Sequence, residues 1–420
     1  MRRGLPGLRL GPPPLVVSLM ARVLLAAIGS YGDVNPFLAV GGGLRRRGHS
    51  VILAAPAQYA RDAARESLEF KALRPDMDPK DPALMSRVMD ARYGSQTLVR
   101  ELVMPAVQDT YEDLESAAQG ADVLVSHMLT YALPVLAEKK GLRWLSVVLA
   151  PLSFFSSSDP PAMAPAPERV SLKAMRRLSR SWSDPVRALR RDLGLPPGAD
   201  ALYEGQHSPH GVLAMFPGSF AAPQEDWPAK TRLCGFPFYD HDFGGEGLDP
   251  ALRAFLDAGD PPVVFTLGSA AVSIAGKFYR HAADASRASG RRAVLLAGAG
   301  ADALKDLPPG VIAARSAPYH ALFPRAAAVV HSGGIGTTAQ ALRAGRAQLV
   351  VPFAHDQFDN AARVERLGAG RAASATALEG ELKELLTEPS YAEKAAAAAA
   401  ALSREDGVGA ACDAVEGLLA

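Results

Sequence analysis

The sequence predicts an α/β protein made of two doubly wound, Rossmann-like halves. Three observations carry that prediction. An apolar run, Arg22–Ile28, passes through a glycine-containing turn into a helical stretch and a second apolar run, Ser50–Ala55, which is an opening βαβ unit. A second αβ series begins at Val263, after a stretch, 236–262, rich in Gly, Asp and Pro. Residues 327–352 then repeat the unit around a turn holding Gly333, Gly334 and Gly336. With 420 residues, both halves can have full cores.

Taken in order, residues 1–19 read as a disordered tail, with the folded chain starting near Met20; either Met1 or Met20 serves as the start. Asn35 reads as the N-cap of the first helix, with Pro36 at its first position and Gly48 closing it. That assignment leaves Asp33 in the preceding loop with no capping duty. Helices are expected over 84–103 and 106–119, then a strand over 122–125 ending in Ser126-His127. A helix over 132–140 and a strand over 143–148 follow, and the Pro- and Ser-rich stretch 150–170 reads as a loop. Residues 171–193 are basic and helical, either a solvated face or a contact with lipid head groups. Residues 212–215 read as the last strand of the N-terminal domain, 20–235. The linker 236–262 holds one short helix, 250–258.

In the C-terminal domain, 263–400, strands are expected over 263–267, 293–296, 311–313, 327–330 and 349–352. Helices are expected over 276–289 and 337–344, and Ala-rich helices over 378–386, 390–403 and 407–419. The last of these, in the segment 401–420, is expected to return onto the first domain.

Several function classes are disfavoured by the totals. A net charge of +1 gives no general attraction to nucleic acid. Two cysteines, Cys234 and Cys412, make no disulfide framework, so a reducing cytoplasm is the expected location. No Cys/His spacing suggests a metal site, and no apolar run approaches the roughly 20 residues of a membrane span.

The stretch Val329–Gln357 concentrates the candidate chemistry. Glycines let peptide N–H groups approach an anion, and a helix N-terminus behind them adds partial positive charge. His331, Ser332 and Thr337 flank that turn, and Asp356 and Gln357 end the next strand on the same sheet rim, where parallel sheets bind ligands. The turn lacks the Gly-Lys-Ser/Thr ending of a phosphate-binding loop of triphosphatases.

His-Ser-Gly-Gly-Ile-Gly-Thr-Thr (331–338) with Pro-Phe-Ala-His-Asp-Gln (352–357) resembles the donor signature of inverting GT-B glycosyltransferases of family 1, in their bacterial branch. Gly-Ser-Tyr-Gly-Asp-Val-Asn-Pro-Phe (29–37) is similar to their acceptor-domain opening, and Phe-Thr-Leu-Gly-Ser (265–269) also fits. That branch includes rhamnosyltransferases and macrolide and sterol glycosyltransferases; the likeness spans 21–419. It implies two Rossmann-like domains facing across a cleft, with a nucleoside-diphosphate sugar (UDP or dTDP) held mainly by the second. By the resemblance, His331, Ser332 and the amides of Gly333, Gly334 and Gly336 would hold the diphosphate, with Gly268, Ser269 and Thr337 opposite. Asp356 and Gln357 would bind sugar hydroxyls, and Tyr319 the base. Ser316 stands where many members stack an aromatic on the base, which leaves uridine or thymidine open.

Asp33 falls where the family places its general base. A carboxylate of ordinary pKa, about 4, is a weak base toward an alcohol and needs burial or a polar partner. His127, on the neighbouring strand end, is the candidate partner or else a hydrogen-bonded core histidine. The expected activity is transfer of a sugar to a hydrophobic hydroxylated acceptor, such as a hydroxyacyl lipid or polyketide, with no metal or other cofactor. A catalytically silent sugar-nucleotide-binding protein is the alternative. A nicotinamide oxidoreductase ranks last, since Gly29-Ser-Tyr-Gly32 lacks the Gly-x-Gly-x-x-Gly spacing and no acid follows the second strand. The expected location is cytoplasmic, with 171–193 as a peripheral membrane contact; the oligomeric state stays open.

Overall fold

A computed structural model describes residues 20–78, 81–162, 171–240 and 247–419. The proposed tail, 1–19, lies outside these residues. The chain forms two all-parallel sheets flanked by helices. The first sheet runs β3-β2-β1-β4-β5-β6-β7, from β1 (Arg22–Ala26), β2 (Ser50–Ala55), β3 (Glu69–Ala72), β4 (Val123–His127), β5 (Arg143–Val148), β6 (Val212–Ala214) and β7 (Thr231–Leu233). Its helices are α1 (Tyr31–Arg46), α2 (Ala60–Arg65), α3 (Pro82–Val88), α4 (Val107–Ala117), α5 (Ala132–Lys140), α6 (Leu172–Ser179) and α7 (Asp184–Asp192). After α8 (Pro250–Asp257), the second sheet runs β10-β9-β8-β11-β12-β13. Its strands are β8 (Val263–Thr266), β9 (Ala293–Leu296), β10 (Val311–Ala314), β11 (Ala328–His331), β12 (Ala347–Val350) and β13 (Gly370–Ala372). They alternate with α9 (Phe278–Ala288), α10 (Ile335–Arg343) and α11 (Gln357–Arg366). Three helices close the chain: α12 (Leu378–Thr387), α13 (Pro389–Leu402) and α14 (Gly407–Gly417).

The central strands are largely apolar because both faces are covered, with polar exceptions such as Ser126, Ser146 and Gln348. Along β1, Val23 and Leu25 enter one apolar cluster, while Leu24 and Ala26 enter another on the opposite face. The first of these clusters does not stop at the domain boundary. It continues through Ile335, Ala339 and Leu342 of α10 and Ala395, Ala398 and Leu402 of α13 to Ala411, Cys412 and Val415 of α14. The terminal helix therefore returns to the first domain, as its sequence position suggested. Arg47 donates to Asp413 and Glu416, each at 2.7 Å, and His49 pairs with Glu416 at 3.0 Å. In the other direction, Met85 and Met89 from the first half join the core of the second.

Both sheets have the strand order in which chain direction reverses next to the first strand, and ligands bind at the carboxyl ends beside that reversal. In the first sheet this point lies between β1 and β4, where Ala26 pairs with Ser126. In the second it lies between β8 and β11, where Thr266 pairs with His331. These two points bring the candidate residues together.

Four expectations need correction. The first helix starts at Tyr31 with Ser30 as its cap, not at Pro36 with Asn35. Ser30 and Asp33 form a reciprocal capping box, which overrides the preference of Pro36 for a first turn; Pro36 sits inside the helix. The single helix expected over 84–103 is broken after α3, where the Asp90 carboxylate accepts from the amides of Arg92 and Tyr93, and it resumes as a wide turn over Thr97–Val103. β7 follows β6, so 212–215 is not the last strand of the first half. The strand after α10 begins at Ala347, and α11 grows directly from Gln357.

The crossing of the chain near Gly407 is tightly built. A Cβ there would lie 2.5 Å from the Phe236 carbonyl carbon and 2.7 Å from the Pro237 nitrogen, backbone atoms that cannot swing away. Gly407→Ala should lower the melting temperature by roughly 3–8 °C, as an overpacked interior does. Gly417→Ala, with no atom within 4 Å of its added carbon, should not lower it; thermal melts of the two variants check both.

Candidate active site

The first turn is organised by one carboxylate. Ser30 donates to Asp33 Oδ2 through its N–H (2.7 Å) and its hydroxyl (2.9 Å), and Ser30 Oγ accepts from the Gly32 N–H (3.2 Å). Gly29 adopts φ +139°, and a Cβ there would sit 2.3 Å from Asp33 Oδ2, so the turn needs a glycine. Asp33 thus has the capping duty that the sequence reading denied it. Its other oxygen, Oδ1, lies 3.5 Å from His127 Nε2, beyond a good hydrogen bond. His127 Nδ1 accepts from the Leu129 N–H at 3.3 Å, which places the ring proton on Nε2, facing Asp33. Among the described residues that Nε2 has no hydrogen-bond partner within range.

Burial acts to raise the Asp33 carboxyl, but His127 and the Ser30 donors outweigh it, and the group is held below the usual carboxylate range. Its side chain remains about a third exposed, at 34%. The sequence argument asked for surroundings that would make this carboxylate a stronger base. The structure instead gives a carboxylate that stays ionised and is fixed in direction.

Across the gap, α10 begins at Ile335 with Gly334 as its cap and no side chain capping it. The first amides of a helix have no internal partner, so the amides of Ile335, Gly336 and Thr337 are free to meet an anion. Gly333 has φ +89°, and a Cβ there would meet Val350 Cγ1 at 2.7 Å and the Gln357 carbonyl at 3.0 Å. The turn is braced from three sides. The Asn360 amide donates to the Gly333 carbonyl (2.8 Å) and to Asp356 Oδ2 (2.7 Å). The Ser332 hydroxyl donates to the Leu267 carbonyl at 2.9 Å, tying the β11 turn to the β8 turn. Thr338 donates to the Gly334 carbonyl at 3.0 Å.

His331 does not stand where the resemblance put it. Its ring is fully buried, Nδ1 accepts from the Gly333 N–H (3.0 Å), and Nε2 pairs with Gln348 Oε1 (2.8 Å). Burial lowers its pKa to about 4, so it is neutral and carries its proton on Nε2. With both nitrogens committed, it shapes the turn from below instead of touching an anion. Gln357 is likewise part-committed: its Oε1 accepts from the amides of Phe353 (2.8 Å) and Ala354 (3.1 Å), leaving only its Nε2 donors for a ligand. Ser332, expected to face the diphosphate, spends its hydroxyl on the Leu267 carbonyl.

A cavity of about 70 Å³ lies where the two turns meet. Tyr31, Gly32 and Asn35 line it from α1, Gly268, Ser269 and Tyr319 from the second domain, and Gly336 and Thr337 from α10. Phe236, Pro237, Tyr239 and Gln340 complete the wall. Gly336 and Gly32 approach closely: a Cβ on Gly336 would be 3.9 Å from the Gly32 Cα. Tyr319 stacks on Phe323 with centroids 4.4 Å apart, and its hydroxyl pairs with Thr266 at 2.9 Å.

Asp356 belongs to the same gap. Burial, aided by the charge of Asp33 and against the hydrogen bond from Asn360, pushes its carboxyl up to about 7. His355 beside it adopts φ +55° and reaches Ser95 of the first domain through Nδ1 at 3.1 Å. Residues that sequence reasoning missed include Asn360, Gln348 and Asn35, whose Oδ1 is buried without a partner. Only Asn35 had a visible signal, its place on the first turn. Among the described residues no group of three or more His, Cys, Asp or Glu is placed to hold a metal ion, and no helix is long and apolar enough to cross a membrane.

Comparison with known proteins agrees with this geometry. Residues 23–132 match the glycosyltransferase family 28 N-terminal domain, and residues 292–407 match the erythromycin biosynthesis protein CIII-like C-terminal domain. The O-mycaminosyltylonolide 6-deoxyallosyltransferase of Streptomyces fradiae is 33% identical over 94% of this chain and 97% of its own length. The vancomycin aglycone glucosyltransferase of Amycolatopsis orientalis is 31% identical over 83% and 85%. Among solved structures, the kitacinnamycin glycosyltransferase superposes with a TM-score of 0.73 at 21% identity, covering 96% of this chain and 100% of that one. A spinosyn rhamnosyltransferase complexed with thymidine diphosphate gives 0.66 at 20% identity, covering 92% and 98%. With two parallel-sheet domains and a relative 33% identical along nearly its whole length, the chain belongs to the GT-B glycosyltransferases of the family 28 and erythromycin CIII-like type.

Proposed function

We propose that this glycosyltransferase moves a sugar, with inversion, from a thymidine or uridine diphosphate sugar to a hydroxyl of a hydrophobic natural product of the macrolide or polyketide kind. The single observation that carries the reading is the opposition of the uncapped start of α10 to the Asp33 turn across one small cavity. Relatives named for transfer to a tylonolide and to a vancomycin aglycone support the acceptor class. The thymidine diphosphate complex of a structural neighbour makes thymidine the first nucleotide to test.

The chemistry follows from the groups present. The diphosphate rests on the amides of Ile335, Gly336 and Thr337, with Ser269 and Thr337 hydroxyls beside it. As the anomeric C–O bond breaks, its electron pair leaves with the diphosphate, and fixed N–H dipoles stabilise the charge that develops there. The acceptor oxygen forms the new bond from the opposite face, and its proton passes to Asp33 Oδ1. A carboxylate held below the usual range suits a late transfer, after bond formation has made that hydroxyl acidic. His127 turns its Nε2 toward Oδ1 at 3.5 Å and presents an N–H dipole to the carboxylate. Asp356 and the Gln357 Nε2 donors are placed for sugar hydroxyls, and a carboxyl that titrates near neutrality can donate or accept there. The catalytically silent alternative would leave Asp33 dispensable, and no observation here favours it. At about 70 Å³ the cavity is smaller than a nucleotide sugar, so its walls must shift to admit one.

Three outcomes test this reading. Asp33→Asn should lower turnover by about 10²–10⁴-fold while nucleoside diphosphate affinity changes less than about threefold, as read by initial rates and calorimetry. Undiminished turnover removes Asp33 from the chemistry. Thymidine or uridine diphosphate at 100 times its dissociation constant should stabilise the protein by about 2.7 kcal/mol, seen as an upward thermal shift. Asp356 supplies the third. Its folded pKa lies above its unfolded value of 3.8, so the folded state holds the extra proton between about pH 4 and 7. Wild-type stability should therefore fall relative to Asp356→Asn as pH rises through that window; parallel melts from pH 5 to 8 check the sign.

A further inference from the structure

Beyond the cleft, the two domains meet in a buried ionic cluster that neither the capping turn nor the donor turn requires. Arg363 of α11 is 2% exposed, and Asp359, one turn earlier, is 1% exposed; Arg363 Nε donates to Asp359 Oδ2 at 2.7 Å. The remaining partners come from the other domain. Arg363 Nη1 donates to Asp159 Oδ2 (2.7 Å) and to the Phe220 carbonyl (3.1 Å), and Arg366 Nη1 donates to Asp159 Oδ1 (2.8 Å). The Ala162 amide donates to the free oxygen of Asp359 at 3.0 Å. Arg363 and Asp359 are the buried members and balance each other, while Arg366, 55% exposed, meets Asp159 from the solvent side.

Each end of this cluster leads to a part of the proposed site. Asp159 sits on the loop that leaves the carboxyl end of β5, on the rim facing the second domain. The start of that loop is held at one side: Ser156 and Ser157 hydroxyls each donate to Asp226 at 2.8 Å, Ser156 Oγ accepts from the Asp159 amide at 3.0 Å, and Phe154 stacks on Trp227 at 4.2 Å. Asp359 and Arg363 sit on α11, whose first residue is Gln357 and whose Asn360 holds both Asp356 and the Gly333 carbonyl. The donor turn is thus hydrogen-bonded to Asn360, the β5 loop to Arg363 and Asp359, and the backbone of α11 joins the two sets.

We propose that Asp159 is a positioning residue, joining the β5 loop on the acceptor-binding side to α11 so that loading of the donor turn orders that loop. The proposal rests on the sugar-nucleotide reading of the donor turn. The loop and the helix behave as one unit, and an anion seated on the amides of 335–337 tightens Asn360, then α11, then Asp159.

Hydrogen exchange of the full-length protein, with and without thymidine diphosphate and uridine diphosphate, tests it. In the wild type, the effective diphosphate should slow exchange at 332–338 and also, by about fivefold or more, at 156–162. In Asp159→Asn the protection at 332–338 should persist while that at 156–162 disappears, and Asp159→Glu should restore it. Arg366→Gln, which leaves the buried Arg363–Asp359 pair intact, should reduce the remote protection and carries the test if Asp159→Asn fails to fold. Remote protection unchanged in the variants, or missing in a wild type whose turn is protected, overturns the proposal. A wild type whose turn is protected by neither diphosphate overturns the sugar-nucleotide reading itself, and the positioning role with it.

Discussion

A helix that starts on glycine, with no side chain to cap it, leaves peptide donors that something outside the helix must satisfy. α10 is such a helix, and much of the second domain serves to keep its first turn open. His331 takes the Gly333 amide for itself, which sets the path of the turn, and Gln348 fixes the tautomer that makes this possible. Asn360 and Ser332 hold the carbonyl and the flank of the same turn. The residues nearest the amides are thus occupied with shape, and the amides themselves are left for charge.

The opposing turn solves a related problem in a different way. α1 is capped by its own sequence, and the capping acid, Asp33, is also the carboxylate proposed to accept the proton. Using one oxygen of Asp33 for the helix and the other for the cleft fixes the carboxylate without further support. It also lowers its basicity, because every donor that orients the group stabilises its charged form. Orientation is obtained at some expense of proton affinity.

Most of the architecture was legible because buried parallel strands are apolar along most of their length, as in β1, β2, β5 and β9. The strands that escaped notice, β3 (Glu-Phe-Lys-Ala), β7 (Thr-Arg-Leu) and β13 (Gly-Arg-Ala), lie at or beside sheet edges and lack that signal. α11 was hidden by its polar sequence, since Asp359, Asn360 and Arg363 are buried for ionic and hydrogen-bonding reasons that no periodicity reports. At the first turn two local rules competed, proline at a helix start and the Ser-x-x-Asp capping box, and the reciprocal hydrogen bonds prevailed. The role of His331 was out of reach for another reason: its decisive partner, Gln348, lies on the next strand, where the β11–β12 register sets it beside Val329, two residues before His331 and on the same face.

The return of α14 to the first domain has a consequence for how the chain is assembled. α14 is made after both sheets, yet its Cys412 sulfur lies against the Val40 carbonyl and its acids pair with Arg47 and His49. During synthesis the early half must therefore wait, with that apolar and basic patch bare, until the later half has emerged. The final packing of the first domain is therefore completed only by one of the last helices to be synthesised.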